Sequence, residues 1–182
     1  ARRGADMSFM SDLPPASGMS SSSALLTAVF LALSAVNALE HQPSYRREIA
    51  SEEDLAGFLG TIENGQSFGA LAGDRGVGTF GGSEDHTAML CCQPGCVSQY
   101  RFCPVSRERV LPLPSSVRLV VGVSGVTAEK TGAALDRYNR VSLLAQAVLG
   151  LWRTATGRDD RSLGAAVGSS PEAPDEMRRI LE

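Results

Sequence analysis

Three places in this sequence carry residue types that could handle a phosphorylated ligand. The first is Pro14-Pro15-Ala16-Ser17-Gly18-Met19-Ser20-Ser21-Ser22-Ser23-Ala24, a loop of small residues that runs through four serines into an apolar segment. A loop of this kind at a helix start turns backbone N–H groups toward an anion, and the aligned peptide dipoles add about half a positive charge there. The same serines also read as caps of a core helix, although four hydroxyls in a row exceed what one cap needs. The second place is Glu63, and the third is Asp85 in Gly81-Gly82-Ser83-Glu84-Asp85-His86-Thr87. Phosphoryl transfer needs a divalent cation to neutralise the phosphates and a carboxylate to take or orient the proton of the attacking hydroxyl. Glu63 and Asp85 are the candidates for those tasks. Asp85 falls between a glycine loop and a strand-like run, where a side chain can face a cleft while the scaffold holds it. Glu63 and Glu84 also read as ordinary solvated acids.

Several elements must position these residues. Met7 to Ser11 alternates apolar and small polar residues ahead of Pro14 and Pro15, which predicts a strand stopped by prolines. Ala24 to Leu39 is rich in helix formers and predicts a buried helix behind the serine loop. Ser51-Glu52-Glu53-Asp54 opens a second helix, with Leu55, Phe58, Leu59 and Ile62 on its apolar face and an end near Asn64-Gly65. The glycines between Ala72 and Gly82 imply positive φ values or a close approach of other backbone. Thr87 to Cys92 and Cys96 to Val105 flank Gln93-Pro94-Gly95 and predict a hairpin. Val117 to Val123 predicts a further strand, and Ala128 to Thr154 a long helix through Leu135, Tyr138, Val141, Leu144, Ala145, Val148 and Trp152. A last helix is expected from Asp175, with that residue as its cap.

Composition narrows the function classes. A chain of 182 residues with 43% hydrophobic and 20% charged content is ordinary for a globular protein, and a net charge of −3 offers no basic field for nucleic acid. The apolar run from Ala24 to Ala38 is shorter than the roughly 20 residues of a membrane span and is interrupted by Thr27, Ser34 and Asn37. Arg2 and Arg3 lead into Asp6 and Ser8, not into an apolar targeting segment, so a cytoplasmic setting is expected. Cys91, Cys92, Cys96 and Cys103 lack the paired CxxC spacing of a zinc ribbon and are expected to be free buried thiols. The chain starts without Met and stops inside a helical pattern, so a fragment is expected.

The quoted motifs resemble those of the GHMP (galactokinase, homoserine, mevalonate, phosphomevalonate) kinases. Leu13 to Ala24 is similar to that family's second motif, P-x-G-x-G-L-S-S-S-A-A: Gly18 and the serines match, Met19 stands for leucine, Ser23 for alanine, and Ala16 for the first glycine. Gly82-Ser83-Glu84-Asp85-His86 resembles the galactokinase segment G-I-M-D-Q, and Gly81-Gly82-Ser83-Glu84-Asp85-His86 also resembles the G-G-x-x-D-Q segment of heptose-phosphate kinases. Tyr138-Asn139-Arg140 resembles the galactokinase Y-N-x-R-R region. The family's N-terminal P-G-R-x-N-L-I-G-E-H-T-D segment and its C-terminal glycine-rich motif have no counterpart in these residues.

The resemblance implies an α+β fold with a ribosomal-protein-S5-like portion over residues 1–114 and the start of a ferredoxin-like domain over 115–182, with the active cleft between them. It implies that ATP phosphates lie on Pro14, Ala16, Ser17, Gly18, Met19, Ser20, Ser21, Ser22 and Ser23, and that Ser22 and Glu63 hold Mg2+. It further implies that Asp85 is the catalytic base that meets a sugar hydroxyl and that Tyr138 contacts the sugar, although Tyr138 also reads as a core aromatic. The expected activity is ATP-dependent phosphorylation of a sugar, with no nucleic-acid or membrane partner and the oligomeric state open. A non-catalytic sugar and nucleotide sensor, a heptose or uronate kinase, and a cysteine-based metal module are the alternatives.

Overall fold

The computed structural model describes residues 3–14, 16–127 and 132–182, which form two compact units, Ala1–Gly132 and Ala133–Glu182. Pro15 of the serine loop and residues 128–131 of the expected long helix lie outside the described residues.

Among its described residues the first unit is α+β, with helices, one two-stranded sheet and long irregular stretches. Helix α1 runs Ser21–Asn37, a 3-10 turn follows at Leu39–His41, and α2 (Pro43–Glu48) leads to α3 (Glu52–Asn64). Helix α3 starts as its sequence predicts: the Ser51 Oγ accepts from the Asp54 N–H at 3.0 Å, and Asp54 Oδ2 accepts from the Ser51 hydroxyl and the Ala50 N–H. This reciprocal cap satisfies donors that the first helical turn would otherwise leave open. Leu59 and Ala56 are fully buried on its inner face, and the helix ends at Gly65. Phe30 of α1 stacks on Tyr45 of α2 at 6.5 Å and meets Phe58 of α3 edge-on at 5.6 Å, while Phe58 meets Phe68 at 5.9 Å. Ring pairs of this geometry contribute about 0.5–1.5 kcal/mol each beyond area burial, and here they tie the helix behind the serine loop to the helix that carries Glu63.

The glycine-rich stretch has a definite neighbour. Gly76, at φ +58°, passes so close to α3 that a Cβ there would lie 2.7 Å from the Glu63 carbonyl oxygen, and the next residue donates from its N–H to that oxygen at 2.8 Å. What approaches the glycine backbone is the last turn of α3.

Thr87 to Cys92 is not a strand. Residues Glu84–Cys91 form α4, and the two strands are β1 (Cys96–Arg101) and β2 (Ser106–Pro112), antiparallel with Cys96 opposite Pro112 and an irregularity between Gln99 and Tyr100. Glu84 and Asp85 sit in the first turn of α4, where the helix dipole favours carboxylates, and Thr87 bonds its hydroxyl back to the Ser83 carbonyl at 2.8 Å. An apolar run this short fits either period, and the acidic start decides for the helix.

Two other expected strands are also corrected. Met7 to Ser11 and Val117 to Val123 form no strand among the described residues, and Leu119 and Val120 are 80% and 89% exposed. β-Branched residues suit a strand, but a strand exists only with a partner, and β1 and β2 pair with each other alone. The four thiols are free, as expected, but only Cys91 is buried; Cys96 is partly so, and Cys92 and Cys103 are exposed. Cys91 ends the buried face of α4, and burial pushes its thiol up to about 11; Cys103 lies in the hairpin turn.

In the second unit α5 (Leu135–Thr156), α6 (Leu163–Val167) and α7 (Ala173–Leu181) enclose a core of Trp152, Ala166, Ala173 and Met177. Ser162 caps α6 by accepting from the Ala165 N–H at 3.1 Å. Asp175 is not the cap of α7: Glu172 holds that position, Pro174 occupies the first turn, and Asp175 pairs with Arg178 at 2.7 Å. Proline suits the first turn because its missing N–H would have no acceptor there.

Candidate active site

The serine loop reaches α1 through residues with left-handed backbone: Ala16 at φ +50°, Gly18 at +79° and Ser20 at +54°. Ser17 steadies the bend by donating its hydroxyl to the Pro14 carbonyl at 2.8 Å. Ser20 does not cap α1 with its side chain, contrary to one reading of the serine run; its backbone is left-handed, not the extended conformation usual at such a cap. Its carbonyl accepts the first helical bond, from the Ala24 N–H at 3.0 Å. The N–H groups of Ser21, Ser22 and Ser23 therefore have no intrahelical acceptor, and no acidic side chain occupies that turn. The result is a positive helix end lined with hydroxyls, with no carboxylate in its own first turn.

Glu63 faces this end. The Ser22 hydroxyl donates to Glu63 Oε1 at 3.3 Å and the Ser23 hydroxyl donates to Oε2 at 2.9 Å. Ser23 is buried, Ser22 is exposed, and the Glu63 side chain is mostly covered. Ser22 and Glu63, predicted from sequence to share one ion, are thus in contact. Their oxygens are hard ligands of the kind Mg2+ takes, so this pair fits a divalent cation whose remaining ligands come from phosphate and water. No cluster of three or more His, Cys, Asp or Glu side chains suited to a metal occurs among the described residues.

Asp85 stands half-buried in the first turn of α4. That turn is fixed to α3 by a backbone approach at Gly60 and by Asn64, whose side-chain amide donates to the Gly81 carbonyl at 3.3 Å. Helix α1 packs on both α3 and α4, so the serine turn, Glu63 and Asp85 are carried by three mutually packed helices. Tyr138 belongs to α5 of the second unit; at 36% exposed, against 1% for Trp152, it is not a core aromatic of that unit.

His86 was not singled out by the sequence. It is 1% exposed, and its Nε2 lies 3.4 Å from Glu63 Oε2. Burial lowers its pKa, against the pull of Glu63, Asp85 and Glu84, and favours the neutral ring. Reading 84–91 as a helix would have exposed the signal, since His86, Thr87 and Cys91 are the residues that α4 buries.

Residues 1–72 match the family model described as GHMP kinases N terminal domain. No curated protein and no solved structure matches the chain. The matched residues take in the serine loop, α1 and the whole of α3 with Glu63, while Asp85 and His86 lie beyond them. The match covers 72 of the 182 residues and is a likeness of that part of the chain to the family's N-terminal domain. Among the described residues no helix is long and apolar enough to cross a membrane.

Proposed function

We infer that this chain carries the phosphate-binding and catalytic part of an ATP-dependent sugar kinase. The observation that carries the reading is the convergence of Ser22 and Ser23 on Glu63 at a helix start whose own first turn has no acidic residue. In this reading the turn from Pro14 to Ser23 holds the ATP phosphates through backbone N–H groups and serine hydroxyls. Ser22 and Glu63 would hold Mg2+, which supplies charge neutralisation at the β- and γ-phosphates. Asp85 accepts the proton of the sugar hydroxyl as its oxygen bonds to the γ-phosphorus and the bond to the β-phosphate oxygen breaks, releasing ADP. Tyr138 is proposed to contact the sugar. The S5-like portion over 1–114, the ferredoxin-like start over 115–182 and a cytoplasmic setting complete the proposal.

The direct test of Asp85 is Asp85→Asn in the complete gene product. An amide cannot accept the proton, so turnover is expected to fall by about 10²–10⁴-fold while ATP affinity holds. Unchanged turnover removes Asp85 from the mechanism.

A further inference from the structure

Glu63 has an anchoring problem that the serines cannot solve. Both side-chain donors bound to its carboxylate, Ser22 and Ser23, belong to the turn that the proposed function gives to phosphate and metal. A hydroxyl recruited by those ligands no longer steadies the carboxylate. Beside the same carboxylate, on a different helix from the serines, sits His86, 1% exposed, with neither ring nitrogen hydrogen-bonded among the described residues. Buried polar atoms without partners are uncommon in native proteins, because the lost hydration is not replaced. The ring nitrogen nearest a possible acceptor is Nε2, 3.4 Å from Glu63 Oε2. That separation is a close electrostatic contact a few tenths of an ångström beyond a good N–H···O bond.

We propose that His86 is a positioning residue for Glu63: its Nε2–H closes onto Oε2 when the serines turn to Mg2+ and nucleotide, and so holds the carboxylate toward the metal. The inference rests on the Ser22 and Glu63 metal reading above. The fold supports it at two points. Gly60 lets the start of α4 lie directly on α3, and the Gly76 loop fixes the Glu63 backbone, so ring and carboxylate sit on elements with little freedom to separate. Outer partners of metal-binding carboxylates act in this way, by orienting the ligand, and their loss costs about 10–100-fold in metal affinity.

Two variants of similar polarity separate this role from plain packing. The side-chain amide of glutamine can place an N–H where Nε2 stands, whereas asparagine reproduces only the Nδ1 position. Mn2+ binding in the presence of ADP, followed by electron paramagnetic resonance, is expected to stay within about threefold of native for His86→Gln and to weaken by about 10–100-fold for His86→Asn. ADP binding in EDTA is expected to match native in both. Equal weakening in the two variants, or native Mn2+ affinity in His86→Asn, overturns the inference. Glu63→Gln separates the inference from its basis: native Mn2+ affinity there removes the metal reading and this inference with it, whereas weakened binding in Glu63→Gln with none in His86→Asn removes only the role of His86. A readout without variants covers the case in which asparagine prevents folding. The chain has two histidines, so the 15N-labelled imidazoles are readily distinguished. On adding Mg2+ and ADP, the His86 proton is expected on Nε2 with its resonance moving downfield; a proton found on Nδ1 overturns the inference.

Discussion

Gly60 and Ser83 meet so closely that a Cβ on Gly60 would lie 2.9 Å from the Ser83 Cβ and 3.1 Å from its Cα. Nothing larger than hydrogen fits between α3 and the residue that starts α4, and this contact sets the distance between the helix of Glu63 and the turn of Asp85. Gly60→Ala must push its methyl group against the Cβ and backbone of Ser83. The expected cost is about 1–3 kcal/mol of stability, read by urea denaturation, despite the better helix propensity of alanine. A variant as stable as native shows that the approach is not tight.

Ala16 makes the opposite prediction. Its φ of +50° is a conformation in which a Cβ is disfavoured, so the chain bends at a residue poorly suited to the bend. Ala16→Gly is expected to stabilise the protein by about 1 kcal/mol or leave it unchanged, since relief of strain competes with the greater freedom of glycine when unfolded. A loss of more than about 1 kcal/mol would contradict the left-handed assignment.

Acid should weaken the second unit through Asp160. The Arg158 guanidinium, hydrogen-bonded to Asp160, lowers its carboxyl from 3.8 to about 2, and the Trp152 indole N–H, donating at 2.8 Å, adds to the effect. The unfolded chain therefore takes up this proton first, so the stabilisation is present above pH 3.8 and is lost as pH falls toward about 2. Trp152 is the single tryptophan, and its fluorescence reports the unit directly. Asp160→Asn is expected to be less stable at neutral pH and to lose the acid-dependent step over that interval. An unchanged acid transition would show that Asp160 does not couple folding to pH.

What could be read from sequence was local. Ser51 and Asp54 announce the start of α3, and Asn64-Gly65 its end, because caps and left-handed glycines act over a few residues. The partnership of Ser22 with Glu63 was legible only through the resemblance of the motif, since nothing in the spacing of two residues 41 positions apart specifies contact. The strands failed where pairing decides: Val117 to Val123 has the residue types of a strand and no partner among the described residues. The apolar run of α4 is too short to separate helix from strand, and the burial of His86 follows only from a helix packed against α3.

The central claim is phosphoryl transfer, and Mg2+-dependent ADP release by the complete gene product measures it most directly. The assay runs against galactose, other hexoses, uronic acids, heptose phosphates and mevalonate, with EDTA and Glu63→Gln as controls and this 182-residue chain beside it. The account predicts release that depends on one sugar, disappears in EDTA and falls by about 10-fold or more in Glu63→Gln. A folded protein that binds ATP yet releases no ADP with any acceptor would contradict it and leave a sugar and nucleotide sensor as the better description.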